Sequence, residues 1–402
     1  MYRLCVASQG VFTSNLTCTF LDDPHWDDFH EKIQRYAQQQ VLKELHSGTK
    51  GATDAPWFPA DLLGGSFVAP GHRKVFERLL DNEHSAVESF VHKRLRLDDG
   101  DSYFTVVIDG WSTLHLNPIL NVILVNEHGA YFYCHIDCTG KTKDAEFIGT
   151  QINATIARIG RENIVALVTD NEASMTTAWD IVRKEHPHVW CLSCTAHCLH
   201  LLFKDIFELE WFKESHEPIH DAVKWIREHP WCKARVERYN KARRNKHRKR
   251  GLKLKLPGVT RYGSKYFTLK RAIRMRKDVC RMFNHPNFEK QNFMKKTESK
   301  AATLATKATF EKQLIWNRAA RTCELVKPLV AGIKLCDHDV AMTSKVYGMM
   351  HNFEEHVEGW TGATATVRKA VSELVDERWE FLHEDLHSGT YATDPLNHAE
   401  VP

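Results

Sequence analysis

The chain has no uncharged apolar run of the 18 or so residues that a transmembrane helix needs. Its start, Met1-Tyr-Arg-Leu-Cys-Val-Ala, lacks the longer apolar stretch of a secretion signal. Eleven cysteines, an odd number in a chain without such a signal, are expected as reduced thiols rather than a disulfide framework. No repeat recurs at a period of about 20–50 residues, which excludes a solenoid or propeller. Acidic residues are scarce between Lys233 and Arg281, where only Glu237 and Asp278 occur. These absences lead to the expectation of an intracellular, soluble, globular protein of two to three domains.

What is present starts with charge. The net charge is only +4 over 402 residues, but the segment 233–281 is strongly basic, densest from Lys241 to Arg250. Arg243, Arg244, Lys246, Arg248, Lys249 and Arg250 crowd there. Like charges at this density repel one another and commonly form a solvated loop. They also suit contact with a phosphate backbone, or a nuclear import signal. Tyr262, Tyr266 and Phe267 interleave farther on and favour a folded basic face. Asp98-Asp-Gly-Asp101 reads as a short acidic turn.

Apolar periodicity suggests helices over 27–45 and 72–97, separated by a Gly/Pro-rich loop, and no strand before Phe104. From there the pattern changes. Strands are expected over 104–108, 118–125 and 131–139, the last two joined by the turn Asn126-Glu-His-Gly129. A helix over 143–159, a strand over 164–169, a helix over 173–184, a short strand over 189–191 and a helix over 195–207 follow. A three-strand antiparallel meander followed by helix, strand, helix, strand, helix is the order of a ribonuclease H-like mixed sheet. The expected class is therefore α/β, with an N-terminal helical segment (1–100), the first part of the core (101–210) and an all-helical region (211–402). In that order the first and fourth strands lie side by side. Beyond 210, helices are expected over 211–228, 266–283 and 367–379, and around Trp316, Leu329 and Tyr347.

Two apolar strands end in aspartate: Phe104-Thr-Val-Val-Ile-Asp109 and Ile164-Val-Ala-Leu-Val-Thr-Asp170. Either Asp alone could be a turn former or helix cap. The pair says more, because ligands and chemistry gather at the carboxyl ends of such strands. Two carboxylates on one edge can hold divalent ions, and hard oxygen ligands suit Mg²⁺ or Mn²⁺ acting on phosphodiesters.

Cys191-Leu-Ser-Cys194-Thr-Ala-His197-Cys198 has one pair at zinc-ligand spacing, but no second pair at a finger-like distance. A helix starting near Thr195 would put His197 and Cys198 on different faces. The open readings are a zinc site, a buried thiol beside a core histidine, and His197 facing the carboxylate edge. Thr260-Arg-Tyr-Gly-Ser264 reads as a turn entering a helix with Thr260 or Ser264 as cap. Alternatively, Arg261 and Tyr262 bind phosphate and stack on a base. Trp111, Trp179, Trp225, Trp316 and Trp379 read as core anchors.

In this order, Asp109-Gly-Trp-Ser112, Lys143-Asp-Ala-Glu146, Val168-Thr-Asp-Asn171, Cys194-Thr-Ala-His197, Thr260-Arg-Tyr-Gly-Ser264, Lys345-Val-Tyr347 and Asp376-Glu-Arg-Trp379 resemble hAT-type DNA transposases and related transposase-like proteins. The resemblance runs from about residue 70 to 395. It implies a ribonuclease H-like domain interrupted by a helical insertion, with DNA, either transposon ends or non-specific, as partner, and a nuclear location. It makes Asp109 and Asp170 the metal-binding aspartates and places His197 near the reacting strand. It also sets Arg261 against the DNA end, with Tyr262 replacing the family's Trp.

The family's Glu-Arg-x-Phe-Ser segment, which carries the third carboxylate and the dimerisation surface, is not found before Pro402. Its N-terminal zinc finger is likewise not found. The expectation is an incomplete, inactive DDE-type site, with a homo-oligomer left open. Two alternatives remain: a non-catalytic nucleic-acid-binding protein, and a ribonuclease H-like nuclease using Glu146 as third carboxylate. The plainer role for Glu146 is a favourable acid in a helix's first turn.

Overall fold

In a computed structural model, the described residues are 102–113, 116–126, 129–243, 252–258, 263–336 and 342–398, with Ser85, Ser89, Phe90 and Lys93. The chain divides into two compact units, one built on residues 104–402 and one on residues 11–103. In the second unit Ser85, Ser89, Phe90 and Lys93 are helical, and the Ser89 hydroxyl donates to the Ser85 carbonyl at 2.8 Å. They fall inside the helix expected over 72–97, while the helix expected over 27–45 lies outside the described residues.

The larger unit is α/β with a five-stranded mixed sheet. Strands β1 (Phe104–Ser112), β2 (Pro118–Asn126) and β3 (Gly129–Asp137) form an antiparallel meander. Strands β4 (Ile164–Thr169) and β5 (Trp190–Ser193) add in parallel beside β1, so the order is β3-β2-β1-β4-β5. The first and fourth strands are thus neighbours, as the element order implied. Consecutive residues of β1 from Phe104 to Asp109 are all buried, the pattern of a strand covered on both faces.

Helices α1 (Ala145–Ile159) and α2 (Ala173–Glu185) form the crossovers into β4 and β5, and α3 (Thr195–Glu208) follows β5. Helices α1 and α2 pack against each other. They approach so closely at Gly149 that a Cβ there would lie 2.9 Å from Ile181 Cβ. Their apolar stripes supply Ile148, Ile152, Ile156, Met175, Ala178 and Val182, all fully buried.

Beyond the sheet come α4 (Glu210–Glu228), α5 (Pro230–Arg243), α6 (Ser264–Phe283), α7 (Thr297–Glu311), α8 (Gln313–Leu325), α9 (Lys327–Cys336), α10 (Thr343–Glu358), α11 (Ala365–Leu382), α12 (Asp385–Thr393) and α13 (Pro395–His398). Helix α4 runs through Pro218 without a break. Helices α9 and α11 both return to pack on α3, and α11 also touches β5. No helix among the described residues is long and apolar enough to cross a membrane.

Several boundaries differ from those expected. β1 extends past Ile108 to Ser112, because β2 continues to pair with it through Asp109–Asn121 and on to Ser112–Pro118. Gly110-Trp-Ser112, which lies beyond the expected end of the strand, is therefore strand. β3 begins two residues earlier than expected, since the hairpin closes at the Asn126–Gly129 pair. Ser264 is not a cap: α6 starts at Ser264 behind Gly263 in the left-handed region (φ 68°), and the Ser264 hydroxyl donates to the Gly258 carbonyl at 3.2 Å. Thr260 lies outside the described residues.

Candidate functional site

The parallel pairing of β1 with β4 ends at Ile108–Thr169, and Asp109 and Asp170 follow those partners directly in sequence. Neighbouring strands lie about 4.8 Å apart, and partners in register face the same side, so both carboxyls emerge at one edge. Asp109 is only 9% exposed, and its carboxylate accepts no hydrogen bond among the described residues. Burial pushes its pKa up to about 7, with repulsion from Asp170 adding and attraction by Lys143 opposing.

Asp170 is half-buried and its two oxygens differ in use. Oδ1 accepts the Glu172 backbone N–H at 3.1 Å, a local turn that fixes the rotamer. Oδ2 faces the space beside Gly110: it lies 4.0 Å from where a Cβ on Gly110 would stand, and Lys143 Nζ lies 3.5 Å from the same point. Both readings of Asp170, turn former and edge carboxylate, hold at once. The end of β4 is anchored below it. Trp179 Nε1 donates to Thr169 Oγ1 at 3.1 Å, and the Cys194 N–H donates to the Thr169 carbonyl at 2.8 Å.

Lys143 sits just before α1, whose N-cap is Asp144. The Asp144 carboxylate accepts the Phe147 N–H at 2.9 Å. Lys143 forms no ion pair within 4 Å among the described residues.

His197 stands in the first turn of α3, half-buried, whereas the next residue, Cys198, is fully buried. Burial lowers the His197 pKa, Asp170 pulls it back up, and Arg378 lowers it again. The imidazole is therefore neutral at pH 7 and within electrostatic reach of the Asp170 carboxylate. Arg378 arrives on α11 and donates to Asp205 Oδ2 at 2.6 Å. Lys143 and Arg378 are site residues that the sequence did not single out, although both lie in the motifs named above. A basic residue two places before an acidic helix start was the available signal.

The thiols do not make a metal centre. Cys191 is directed at the Val189 carbonyl, and Cys198 Sγ accepts from Asn171 Nδ2 at 2.7 Å. Burial raises both thiol pKa values to about 11, as expected of thiols packed in an apolar core. Among the described residues no group of three or more His, Cys, Asp or Glu side chains could hold a metal ion. Glu146 is exposed in the first turn of α1 and does not join the two aspartates. Two carboxylates do suit one divalent cation, because Mg²⁺ commonly takes one or two carboxylates and keeps its remaining waters for phosphate.

The basic segment splits into two populations. Some cations are committed to the fold. Arg276 donates to the Phe310 carbonyl at 2.9 and 3.1 Å and to Gln313 at 2.8 Å, and it lies over the Trp316 ring. Lys265 pairs with Glu208. Others face solvent: Arg238 and Lys241 on α5, and Lys277 and Arg281 on α6. Arg281 lies 4.3 Å over the Tyr239 ring, which brings these two exposed rows together. Asn240, fully buried, ties the two helices by donating to Asp278 at 2.8 Å and accepting the Leu252 N–H at 2.6 Å. Arg244, Lys246, Arg248, Lys249, Arg250, Arg261 and Tyr262 lie outside the described residues, as does the Arg243 side chain.

Of the tryptophans, Trp179 and Trp316 are core anchors at 7% and 3% exposure. Trp111 is not. It is 42% exposed, and it falls where β1 has outrun β4. Two residues from Asp109, it points to the same side of the sheet.

A family model described as "Domain of unknown function (DUF659)" matches residues 70–220. The chain thus carries a DUF659 domain, a domain found in hAT-family transposase-like proteins. The matched span takes in the whole sheet and both edge aspartates. No curated protein matches the chain.

Proposed function

We propose that this chain is a DNA-binding protein of hAT-transposase descent, built on a ribonuclease H-like core, whose sheet edge holds one divalent cation through Asp109 and Asp170. The strand order, with its antiparallel meander flanked by two parallel strands, supports the ribonuclease H-like reading. The DUF659 match supports the descent. The single observation that carries the site is Asp109: a carboxylate nine-tenths buried that accepts no hydrogen bond among the described residues. Desolvating an ionised carboxylate is costly, and a cation shared with Asp170 offsets that cost.

When bound, a divalent ion there supplies Lewis-acid polarisation of a phosphate. The chain's own residues do the rest. Asp170 is held by its turn with one oxygen free, His197 offers a neutral imidazole at the mouth, and Gly110 leaves the space open. Trp111 offers an exposed face for base stacking, while Arg238, Lys241, Lys277 and Arg281 meet the phosphate backbone. Strand cleavage by this site calls for a third carboxylate that no described residue supplies. The reading is therefore of a nuclear, DNA-bound protein whose cation edge is formed by two aspartates.

The test is binding of Mn²⁺ to the full chain, followed by its paramagnetic resonance. One ion per chain, absent from both Asp109→Asn and Asp170→Asn, is the expected result. Unchanged binding in both variants would sink the proposal.

A further inference from the structure

Lys143 sits in a position that an ordinary surface lysine does not take. Its ammonium reaches the space beside Gly110 that Asp170 Oδ2 also faces, it acts electrostatically on Asp109, and it forms no ion pair within 4 Å among the described residues. A lysine free in water would extend away. This one is half-buried, and the Asp144 cap fixes the backbone directly behind it.

We infer that Lys143 is a fixed counter-cation of the carboxylate edge, standing where a second metal ion would otherwise bind and limiting Asp109 and Asp170 to a single divalent ion. The inference rests on the cation site proposed above and deepens it. With both carboxyls ionised the pair carries −2 and the ammonium +1, so the edge is −1 and one divalent ion brings it to +1. A second ion would bring it to +3 within a few ångströms, where like charges repel strongly. Two-metal phosphoryl chemistry needs ions about 4 Å apart, and the ammonium occupies that neighbouring position. Lys143 acts here as a positioning residue: it sets how many cations the edge takes and how tightly it takes them.

The experiment is Mn²⁺ titration of the full chain, read by calorimetry for affinity and by paramagnetic resonance for stoichiometry and spin coupling. Wild type, Lys143→Met, Lys143→Arg and Asp109→Asn are compared. Wild type is expected to take one uncoupled ion. Lys143→Met is expected to bind that ion roughly tenfold more tightly or more, given unit charges a few ångströms apart, or to admit a second, spin-coupled ion. Lys143→Arg should behave as wild type, which a merely structural role at this position would not explain. Wild type taking one ion with Lys143→Met unchanged in affinity and stoichiometry overturns the inference and leaves the cation site standing. Wild type taking none while Lys143→Met takes one overturns the single-ion inference and sinks the site as a wild-type metal centre. No binding in either overturns both.

Discussion

Ile108 and Thr169 are register partners at the last rung of the parallel ladder, and an aspartate follows each of them. Two positions 61 apart in sequence are thereby delivered to one edge without any pairing between their own backbones. Antiparallel pairing on the other flank continues four residues farther, from Asp109 to Ser112. The edge is a step in the sheet. Its wall is β2, its floor is the end of β4, and Asp109 sits in the corner.

That corner makes Asp109 a stability liability when no cation is bound. In chelator at pH 8, Asp109→Asn should raise stability by about 1–3 kcal/mol, since a neutral amide replaces a buried charge and can donate to Asp170. Urea denaturation followed by tryptophan fluorescence is the measurement. A decrease in stability of similar size would show that the carboxylate is compensated in the folded chain.

Acid should weaken the fold through histidines kept neutral by burial. His216 and His387 are 8% and 1% exposed, and burial lowers both pKa values to about 4. His387 Nδ1 also accepts the Glu384 N–H at 3.1 Å, which only the neutral ring can do. In the unfolded chain these groups titrate near 6.5, so between pH 6.5 and 4 the unfolded state binds more protons and stability falls as pH falls. Each group contributes on the order of 3 kcal/mol over that window. Unfolding free energies at pH 7.0, 5.5 and 4.5 check this, and His387→Gln should flatten the slope.

DNA binding should separate into two kinds of interaction. Reversing Lys241, Lys277 or Arg281 to Glu should weaken binding to all sequences and reduce the salt slope by about one unit for each phosphate no longer neutralised. Trp111→Ala should spare the slope but cost about 1–3 kcal/mol on single strands by removing a stacking face. Fluorescence anisotropy across a salt series distinguishes them. A slope unchanged by all three reversals would place the interface elsewhere.

Gly149 marks a close approach of α1 to α2. Gly149→Val must push Ile181, whose own Cβ already stands 2.9 Å from the added Cβ position. Because a β-branched side chain cannot swing aside, a destabilisation of about 1–3 kcal/mol is expected. Chemical denaturation of the variant is the check, and an unchanged midpoint would mean that α1 and α2 can part freely.

Strand and helix order was legible because burial on two faces writes near-continuous apolar runs, as in Ile164–Thr169, while α2 and α3 carry apolar residues at helical spacing. The aspartate pair was legible for the same reason: each closes such a run. Less legible was where β1 stops, since Gly110-Trp-Ser112 carries loop-forming residues and only β2's pairing makes them strand. Trp111 followed suit, expected in the core but left uncovered where the neighbouring strand ends.

Composition and periodicity alone therefore determined the alternation of strands and helices, the concentration of positive charge in 233–281, and the two aspartates as strand-end acids. Those are local properties, set by which side chains face apolar or aqueous surroundings along one element. Tertiary structure decided what the acids meet. It brought Lys143 into their space, buried Asp109 without a donor among the described residues, carried Arg378 back on α11 to act on His197, and divided the cations into those holding the fold and those facing water. Such encounters join residues tens to hundreds of positions apart, and they depend on charge and burial summed over elements that no single stretch of sequence contains.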